Sequence, residues 1–267
     1  MAIVIHDATQ LQAMRRAGRV AAATLASVGA RLRPGITTAD IDAWVREDTA
    51  ARGATPSQLG YRGFPAAVCT SRNEVVCHGI PSPTERLHEG DIVNVDVTSC
   101  FEGFHGDTSV TFVIGRAPEP ARRVVEIARR CLEAGVAAVA PGRRLGDVAA
   151  AIMEVAAAAG CHLVTDFGGH GIGERMHMAP HVSHVGRPGT GVRLRPGMTF
   201  TIEPMVTLTP PRVELAPDGW RVTTRDGLPS AQFEHTVAVT EDGGEVLTVP
   251  PHGHIDPYVP VDGRASA

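Results

Sequence analysis

The sequence is poor in the features that mark several large classes of protein. Its 25 basic residues are outnumbered by 29 acidic ones, giving a formal net charge of −4. This balance argues against bulk binding to nucleic acid, and we expect no DNA partner. No apolar run is long enough to span a bilayer, and the first residues, MAIVIHDATQ, lack the basic and apolar parts of a secretory signal. We therefore expect no membrane association.

Cysteine is also scarce, and its spacing excludes two common uses of the residue. The five cysteines form no Cys-x-x-Cys pair and leave an odd thiol over. This pattern favours reduced thiols in a cytoplasmic protein over a disulfide framework.

The sequence has no His-Glu-x-x-His motif, and Pro180 interrupts any helix that would join His177 to His181. A zincin-type protease is therefore not expected.

What is present is the composition of a globular protein, 43% hydrophobic and 20% charged over 267 residues. Apolar periodicity and turn residues predict helices over residues 7–32, 38–52, 121–139 and 145–159. A strand hairpin is predicted from residues 94–98 and 108–114, which meet around Gly103 and Gly106, with later strands in MTFTIEPMV and AQFEHTVAVT. Residues 1–250 are interpreted as a single domain and residues 251–267 as a loosely ordered C-terminal tail.

The chain repeats itself at a spacing of 107 residues. LRPGITTADIDAWV (32–45) matches VAPGRRLGDVAAAI (139–152), and LHEGDIVNVDVT (87–98) matches LRPGMTFTIEPM (194–205) at the same offset. The repeat runs roughly over 32–115 and 139–240. It predicts an α+β fold of two pseudo-symmetric α/β halves, each with two helices and antiparallel sheet.

Acidic residues stand at equivalent strand positions of the two halves. Asp96 and Asp107 lie in the hairpin, Glu203 takes the place of Asp96 in the second half, and the strand from Glu234 resembles the strand from Asp107. Such acids could simply face water, although Asp is a poor strand former. If the halves bring them together, four unpaired carboxylates repel one another unless cations hold them. With His170 of GGHGIG as a fifth donor, the set suits two divalent ions that share bridging carboxylates.

Six segments carry a resemblance to a known family: GYRGFPAAVCTSRNEVVCHGIP, GDIVNVDVT, GDTSVTF, GGHGIG, TIEPM and EHTVAVT. In order and spacing they resemble the methionine aminopeptidases of the bacterial type I class, over about residues 7–250. The resemblance implies the pita-bread fold, with helices covering an antiparallel sheet in one metallopeptidase domain. It also implies removal of the N-terminal methionine from nascent proteins and peptides whose second residue is small.

The same resemblance implies the metal ligands. Asp96 would be a bidentate ligand of one ion, Asp107 and Glu234 would bridge both ions, and His170 and Glu203 would bind the other. The sequence does not determine the metal, since Mn, Fe, Co, Zn and Ni all accept such donors. The family also implies a monovalent cation at the backbone near Asn73, Val75 and Ser230.

The catalytic and substrate-binding roles come from the resemblance as well. A water activated by both metals would attack the carbonyl after the methionine, with Glu203 accepting and returning its proton. His177 would stabilise the oxyanion, and His78 would contact the scissile amide nitrogen. The methionine side chain would lie among Tyr61, Phe64, Cys69, Met176 and Trp220, each of which alone is typical of an ordinary core. Many relatives have Cys in place of Gln58 and Phe in place of Met176, which predicts a looser pocket edge.

The implied partners are nascent polypeptide N-termini, with the ribosome near its exit tunnel as a further candidate, and the family predicts a monomer. Two alternatives stay open. An Xaa-Pro aminopeptidase or prolidase uses the same five ligands but usually carries a large N-terminal domain, whereas six residues precede the first predicted helix. A metal-free binding module of the same fold would have lost ligands, and all five are present here with both histidines.

Overall fold

The computed structural model describes residues 2 to 260 of the chain. The α-helices within these residues are α1 (Ala8–Gly29), α2 (Thr38–Ala51), α3 (Glu119–Ala137) and α4 (Leu145–Ala158). Each overlaps one of the four predicted helices. Helix α1 ends earlier than predicted because the following N–H groups bond to carbonyls three residues back, Arg31 to Val28 at 2.9 Å and Leu32 to Gly29 at 3.2 Å. Helix α3 begins earlier because Pro120 is compatible with a first helical turn.

The repeated aspartates begin equivalent helices. The main-chain N–H of Thr37 donates to Asp40 at 2.7 Å, and that of Arg144 donates to Asp147 at 2.8 Å. Each carboxylate therefore caps the first turn of its helix. Main-chain hydrogen bonds recur at the same spacing, from Gly35 to Leu87 at 2.8 Å and from Gly142 to Leu194 at 2.9 Å.

The extended segments form one large sheet and two small ones. In chain order the strands are β1 (Thr55–Pro56), β2 (Cys69–Arg72), β3 (Val75–Cys77), β4 (Ile92–Phe101), β5 (Phe104–Ile114), β6 (His162–Leu163), β7 (Gly169–Gly171), β8 (Met178–Val182), β9 (Thr199–Ile202), β10 (Met205–Thr207), β11 (Val213–Leu215), β12 (Val222–Thr224), β13 (Ser230–Gln232), β14 (Glu234–Val239), β15 (Gly244–Val246) and β16 (Tyr258–Val259). The large sheet has the order β1-β4-β5-β14-β9-β7-β8, with β2 on β4, β15 on β14 and β16 on β5. The small sheets are β13-β10-β6 and β11-β12-β3.

The predicted hairpin is β4 and β5, paired along their whole length. Its turn is Glu102-Gly103, with φ of 50° and 80°, a conformation that glycine adopts without strain. The prediction that Gly106 belongs to the turn is wrong, because Gly106 pairs with Ser99 inside the hairpin. A Cβ on Gly106 would lie 2.6 Å from the Cα of Gly18. This glycine therefore lets α1 pack directly on β5.

The helices cover one face of the large sheet, and the predicted ligands point to the other. Helix α1 lies over Gly106, so the alternation of side chains directs Asp107 to the opposite face. A Cβ on Gly135 of α3 would lie 3.1 Å from Ile202 of β9, so Glu203 is likewise directed away from the helices. Buried aliphatic and aromatic side chains fill the space between helices and sheet, with Phe112 and Phe200 among the largest. In the described part of the chain, no helix is long and apolar enough to cross a membrane.

The segment after residue 250, predicted to be loose, contains a short strand. Tyr258–Val259 forms β16 and runs parallel to β5. The Val113 N–H donates to Pro257 at 2.7 Å, and the Gly115 N–H donates to Val259 at 2.9 Å. Strand β14 pairs with β5 only near Ser109, which leaves the main chain of β5 beyond that point available for a further strand. Residues 261 to 267 of the predicted tail lie outside the described residues.

Candidate metal centre and active site

The five predicted ligands come from five strands or strand ends of the large sheet. Asp96 lies in β4 and Asp107 in β5, while Glu234 begins β14, the strand next to β5. His170 is the central residue of β7, and Glu203 directly follows β9. Because β14 and β9 are adjacent and β7 pairs with β9, all five donors are directed to one region of the same face.

The side chains converge to distances that a shared cation would bridge. One donor atom each from Asp107, His170 and Glu234 lie within 4.8 Å of one another. The Nε2 atom of His170 is 3.6 Å from Asp107 Oδ2 and 3.7 Å from Glu203 Oε1. The carboxyl group of Asp96 contacts that of Asp107 and so joins the same cluster. The structure thus brings together all five residues, although the sequence separates them by up to 138 positions.

This cluster concentrates negative charge in a place that water reaches poorly. Asp107 is 5% exposed, Glu203 8% and Glu234 2%. The chain contains no lysine, and the basic side chain that the structure places within 4 Å of Asp107 and Glu203 is the imidazole of His170. Burial raises the pKa of all four carboxyls, and repulsion between the acids raises the pKa of Asp96, Glu203 and Glu234 further.

His170 complements the acids as a neutral donor. Burial, followed by the neighbouring His177, lowers the pKa of the His170 imidazole to about 3. Its Nδ1 atom lies 3.1 Å from the carbonyl oxygen of Gly171, which suits an N–H at that position and leaves Nε2 as a lone-pair donor facing the acids. Four carboxylates and one neutral imidazole are the donor set of hard or borderline divalent ions, so the residues present fit a divalent metal centre.

Neighbouring hydroxyl and amide groups orient the carboxylates. Thr98 Oγ1 donates to Asp107 at 2.7 Å, and Thr201 Oγ1 donates to Glu203 at 2.7 Å. The amide of Gln232 donates to the second oxygen of Glu203 at 3.3 Å. Each of these bonds leaves other lone pairs of the carboxylate free.

Sequence reasoning missed these orienting residues, and it missed His184. The fully buried imidazole of His184 accepts a hydrogen bond from the main-chain N–H of Glu203 at 3.1 Å. Burial lowers the pKa of His184 to about 3, so the ring is neutral and able to accept. A serine-, threonine- or histidine-rich strand carries no signal that separates such contacts from ordinary packing. Only Thr98 and Thr201 could have been predicted from the sequence pattern, because each is two residues from a predicted ligand and therefore on the same face of the strand.

The two other predicted histidines lie at the same cavity. His177 stacks on Tyr61 with ring centroids 5.0 Å apart, and its ring centroid is 4.0 Å from that of His170. Burial, followed by Arg62, lowers the pKa of His177 to about 4, so its ring is neutral and carries one N–H. His78 packs edge-on against Phe167 at 5.6 Å, and burial lowers its pKa too.

Above the cluster lies a cavity of about 350 Å³. Its wall includes every predicted site residue: Tyr61, Phe64, Cys69, His78, Asp96, Asp107, His170, Met176, His177, Glu203, Trp220 and Glu234. Phe64 and Trp220 meet edge to face with centroids 5.1 Å apart. Burial raises the pKa of Cys69 well above its ordinary value, so its thiol is uncharged and adds to the apolar part of the wall. Phe167 and Met205 also line this cavity and were not predicted.

The region expected to hold a monovalent cation is also assembled in the structure. Ser230 N–H donates to the Asn73 carbonyl at 2.9 Å, and Val75 follows in β3. The Asn73 side chain donates to Asp91 at 2.8 Å. These contacts bring residues from both halves of the chain together beside the site.

Comparison with known proteins places the chain among metallopeptidases. The profile of metallopeptidase family M24 matches residues 12–241. Methionine aminopeptidase A of Synechocystis sp. is 48% identical over 247 residues, covering 92% of this chain and 98% of that protein. The crystal structure of methionine aminopeptidase from Rickettsia prowazekii gives a TM-score of 0.91 at 41% identity, covering 92% of this chain and 100% of the other.

A more distant likeness bears on the alternative. Prolidase from Pyrococcus furiosus gives a TM-score of 0.72 at 22% identity, covering 92% of this chain and 65% of that protein, and is similar in fold alone. The expected α+β pita-bread fold of two pseudo-symmetric halves is confirmed by the closer likenesses.

Proposed function

This chain belongs to metallopeptidase family M24, and from that premise we propose that it removes the N-terminal methionine from polypeptides whose second residue is small. The proposal is supported by the identity of 42–48% to proteins named methionine aminopeptidase. The observation that carries it is that five converging donor groups line the same cavity as a set of aromatic and sulfur-containing side chains. Reaction centre and side-chain pocket thus adjoin, as an aminopeptidase requires.

We assign the five donors to two divalent ions. Asp96 would hold one ion and His170 and Glu203 the other, with Asp107 and Glu234 shared between them. Asp107 and Glu234 fit the shared role because their strands, β5 and β14, are neighbours in the sheet. Bound ions of this kind activate a water and polarise a carbonyl. Manganese, iron, cobalt, zinc and nickel all suit the donor set.

The chain's own residues would then position the substrate and move the proton. The carboxylate of Glu203 would accept the proton of the attacking water and return it to the leaving amine. The neutral ring of His177 would donate its N–H to the carbonyl oxygen as charge develops there. His78, whose ring lies edge-on to Trp220 with centroids 6.3 Å apart, would contact the scissile amide nitrogen.

The cavity wall explains a preference for methionine. Tyr61, Phe64, Cys69, Met176 and Trp220 offer apolar surface and polarizable sulfur to an unbranched side chain. A charged side chain would lose its hydration there without gaining a partner. Met176 is 5% exposed and lines the cavity.

The setting proposed with this activity is the cytoplasm, where new polypeptides present an N-terminal methionine. We propose nascent chain N-termini as substrates, encountered near the ribosomal exit tunnel, and a monomeric enzyme. An Xaa-Pro enzyme is the less supported alternative, because the prolidase likeness is one of fold alone.

The test is release of methionine from short peptides by chelator-treated protein reloaded with Mn or Co. Met-Ala-Ser should be cleaved, Met-Lys-Ser far more slowly, and the chelated protein should be inactive. A matched peptide, Ala-Pro-Ser, separates the alternative. Faster cleavage of Ala-Pro-Ser than of Met-Ala-Ser would replace the proposal by a prolidase-like activity, and equal rates with Met-Ala-Ser and Met-Lys-Ser would remove the rule of a small second residue.

A further inference from the structure

Strand β4, which carries Asp96, lacks a neighbouring strand over a short stretch of one edge, and this stretch is called the gap below. Along that edge β4 pairs with β2 up to Asp96 and with β1 from Ser99 onward. Between them, Val97 and Thr98 have no strand partner on this side, although β5 pairs with β4 throughout on the other. The main-chain groups at this gap need other hydrogen-bond partners, since they are buried.

Gln58 fills this gap with its side chain. Its Nε2 donates to the main-chain carbonyl of Asp96 at 3.0 Å, and its Oε1 accepts from the main-chain N–H of Thr98 at 3.4 Å. A primary amide has the donor and acceptor of a peptide unit, so the side chain continues the ladder between two short strands. The preceding residue, Ser57, adds a main-chain bond to Thr98 at 2.9 Å.

The same amide reaches the carboxylate of Asp96. Nε2 lies 3.1 Å from Asp96 Oδ1, so one NH₂ group bonds both the main chain and the side chain of this residue. The orientation of the amide follows from its neighbours, because the reverse orientation would place Oε1 against two acceptor oxygens. Gln58 is 7% exposed, and its side chain is held in place by these contacts.

We propose that Gln58 is a positioning residue of the metal centre, which holds the Asp96 carboxylate in the orientation that binds its ion. This inference rests on the proposed function, since it needs Asp96 to be a ligand. Asp96 is the carboxylate of the cluster with partial exposure, and its Oδ1 accepts a hydrogen bond from the Gln58 amide at 3.1 Å. An ionised carboxylate has about four lone-pair sites, so the bond to Gln58 leaves both Asp96 oxygens able to bind the ion. Partners of this kind typically contribute tenfold to a hundredfold to metal affinity.

The test replaces Gln58 by Met, which keeps the length and bulk of the side chain and removes its three hydrogen bonds to Asp96 and Thr98. Gln12→Met is the matched control, because Gln12 is exposed on α1 and far from the site in the fold. Dissociation constants for Mn²⁺ or Co²⁺ are measured by calorimetry on chelator-treated protein, together with the melting temperature of the metal-free form. We expect Gln58→Met to bind one of the two ions about tenfold or more weakly than wild type, with turnover restored by excess metal.

A second variant, Gln58→Asn, keeps the inference testable if Gln58→Met does not fold. Gln58→Asn keeps the amide but is one methylene too short to span from the main chain of Thr98 to the carboxylate, and it should also bind metal more weakly. Wild-type metal affinity in either folded variant, with only the melting temperature lowered, would mean that Gln58 serves the sheet alone and would overturn the inference. Wild-type protein that bound no divalent ion would overturn the proposed metal centre as well, so the two failures are distinguishable.

Discussion

Replacing His177 by Ala tests the proposed chemistry most directly. The His177 ring stacks on Tyr61 at a centroid distance of 5.0 Å and contacts the tilted ring of His170 at 4.0 Å. Among residues 2 to 260 the structure gives this ring no hydrogen-bond partner, so its N–H is free to meet a substrate. Because burial lowers its pKa to about 4, the ring is neutral near pH 7 and donates one hydrogen.

The expected magnitude follows from the loss of that one donor. A donor aimed at a developing oxyanion contributes about 10²–10³ in kcat, or about 2.7–4 kcal/mol. His177→Ala should therefore lower kcat by about a hundredfold or more, while metal content and KM for Met-Ala-Ser stay close to wild type. The measurement is steady-state kinetics with metal analysis of the same samples.

Two further variants make the result specific. His177→Gln retains an N–H donor of similar reach and should recover part of the lost turnover. His88→Ala removes an exposed histidine outside the cavity and should behave as wild type. Loss of metal from His177→Ala would refute the reasoning, because His177 would then be a ligand. An unchanged kcat would refute the oxyanion role itself.

Four other predictions address the centre, the pocket and the fold. Glu234→Ala should lose at least one ion and nearly all activity, since this carboxylate is assigned to both ions; full metal content with near-normal turnover would contradict the assignment. A peptide beginning with norleucine should be cleaved at a rate within about tenfold of that of its methionine counterpart, because apolar pockets discriminate weakly between near-isosteres. A peptide beginning with Leu should be cleaved more slowly and one beginning with Lys or Glu essentially not at all; rapid cleavage after Lys would rule out the apolar pocket. Burial lowers the pKa of His6, so the unfolded chain takes up this proton at a higher pH than the folded chain does. Stability should therefore fall as the pH drops through about 6.5, more steeply in wild type than in His6→Gln; equal slopes in denaturant titrations would show that His6 is not the cause. Gly106→Ala places a Cβ 2.6 Å from Gly18 and should cost about 1–3 kcal/mol of unfolding free energy, and an unchanged melting temperature would mean that α1 shifts without penalty.

The candidate ligands could be predicted because their signal is local and repeated. Asp96 and Glu203 occupy equivalent places in segments 107 residues apart, and each follows the same Gly-centred turn. Asp107 and Glu234 stand at the start of β-branched strands, where acids are otherwise unusual. The structure places all four in one cluster with His170, because the repeat generates two equivalent strand pairs that meet side by side.

The residues that orient the ligands could not be predicted in the same way. Gln58 bonds Asp96 across 38 positions, and Gln232 bonds Glu203 across 29. Glutamine is commonly a surface residue, and the residues next to it in the sequence do not indicate that its side chain has a buried partner. Its role depends on which strand edge is left unpaired, and that is settled only when the sheet has formed.

The elements of the fold show the same division between features that the sequence predicts and features that it does not. Hydrophobic periodicity and helix caps are properties of neighbouring residues, so the sequence by itself determined the four helices, the β4–β5 hairpin, the internal repeat and the identity of the donor groups. The tertiary structure alone decided that Gly106 packs against Gly18, that β16 joins the edge of β5, and that Gln58 completes the ladder beside Asp96. The physical reason is that close packing and hydrogen-bond satisfaction are conditions on groups brought together in space, and a residue's own sequence neighbourhood does not contain the partners that impose them.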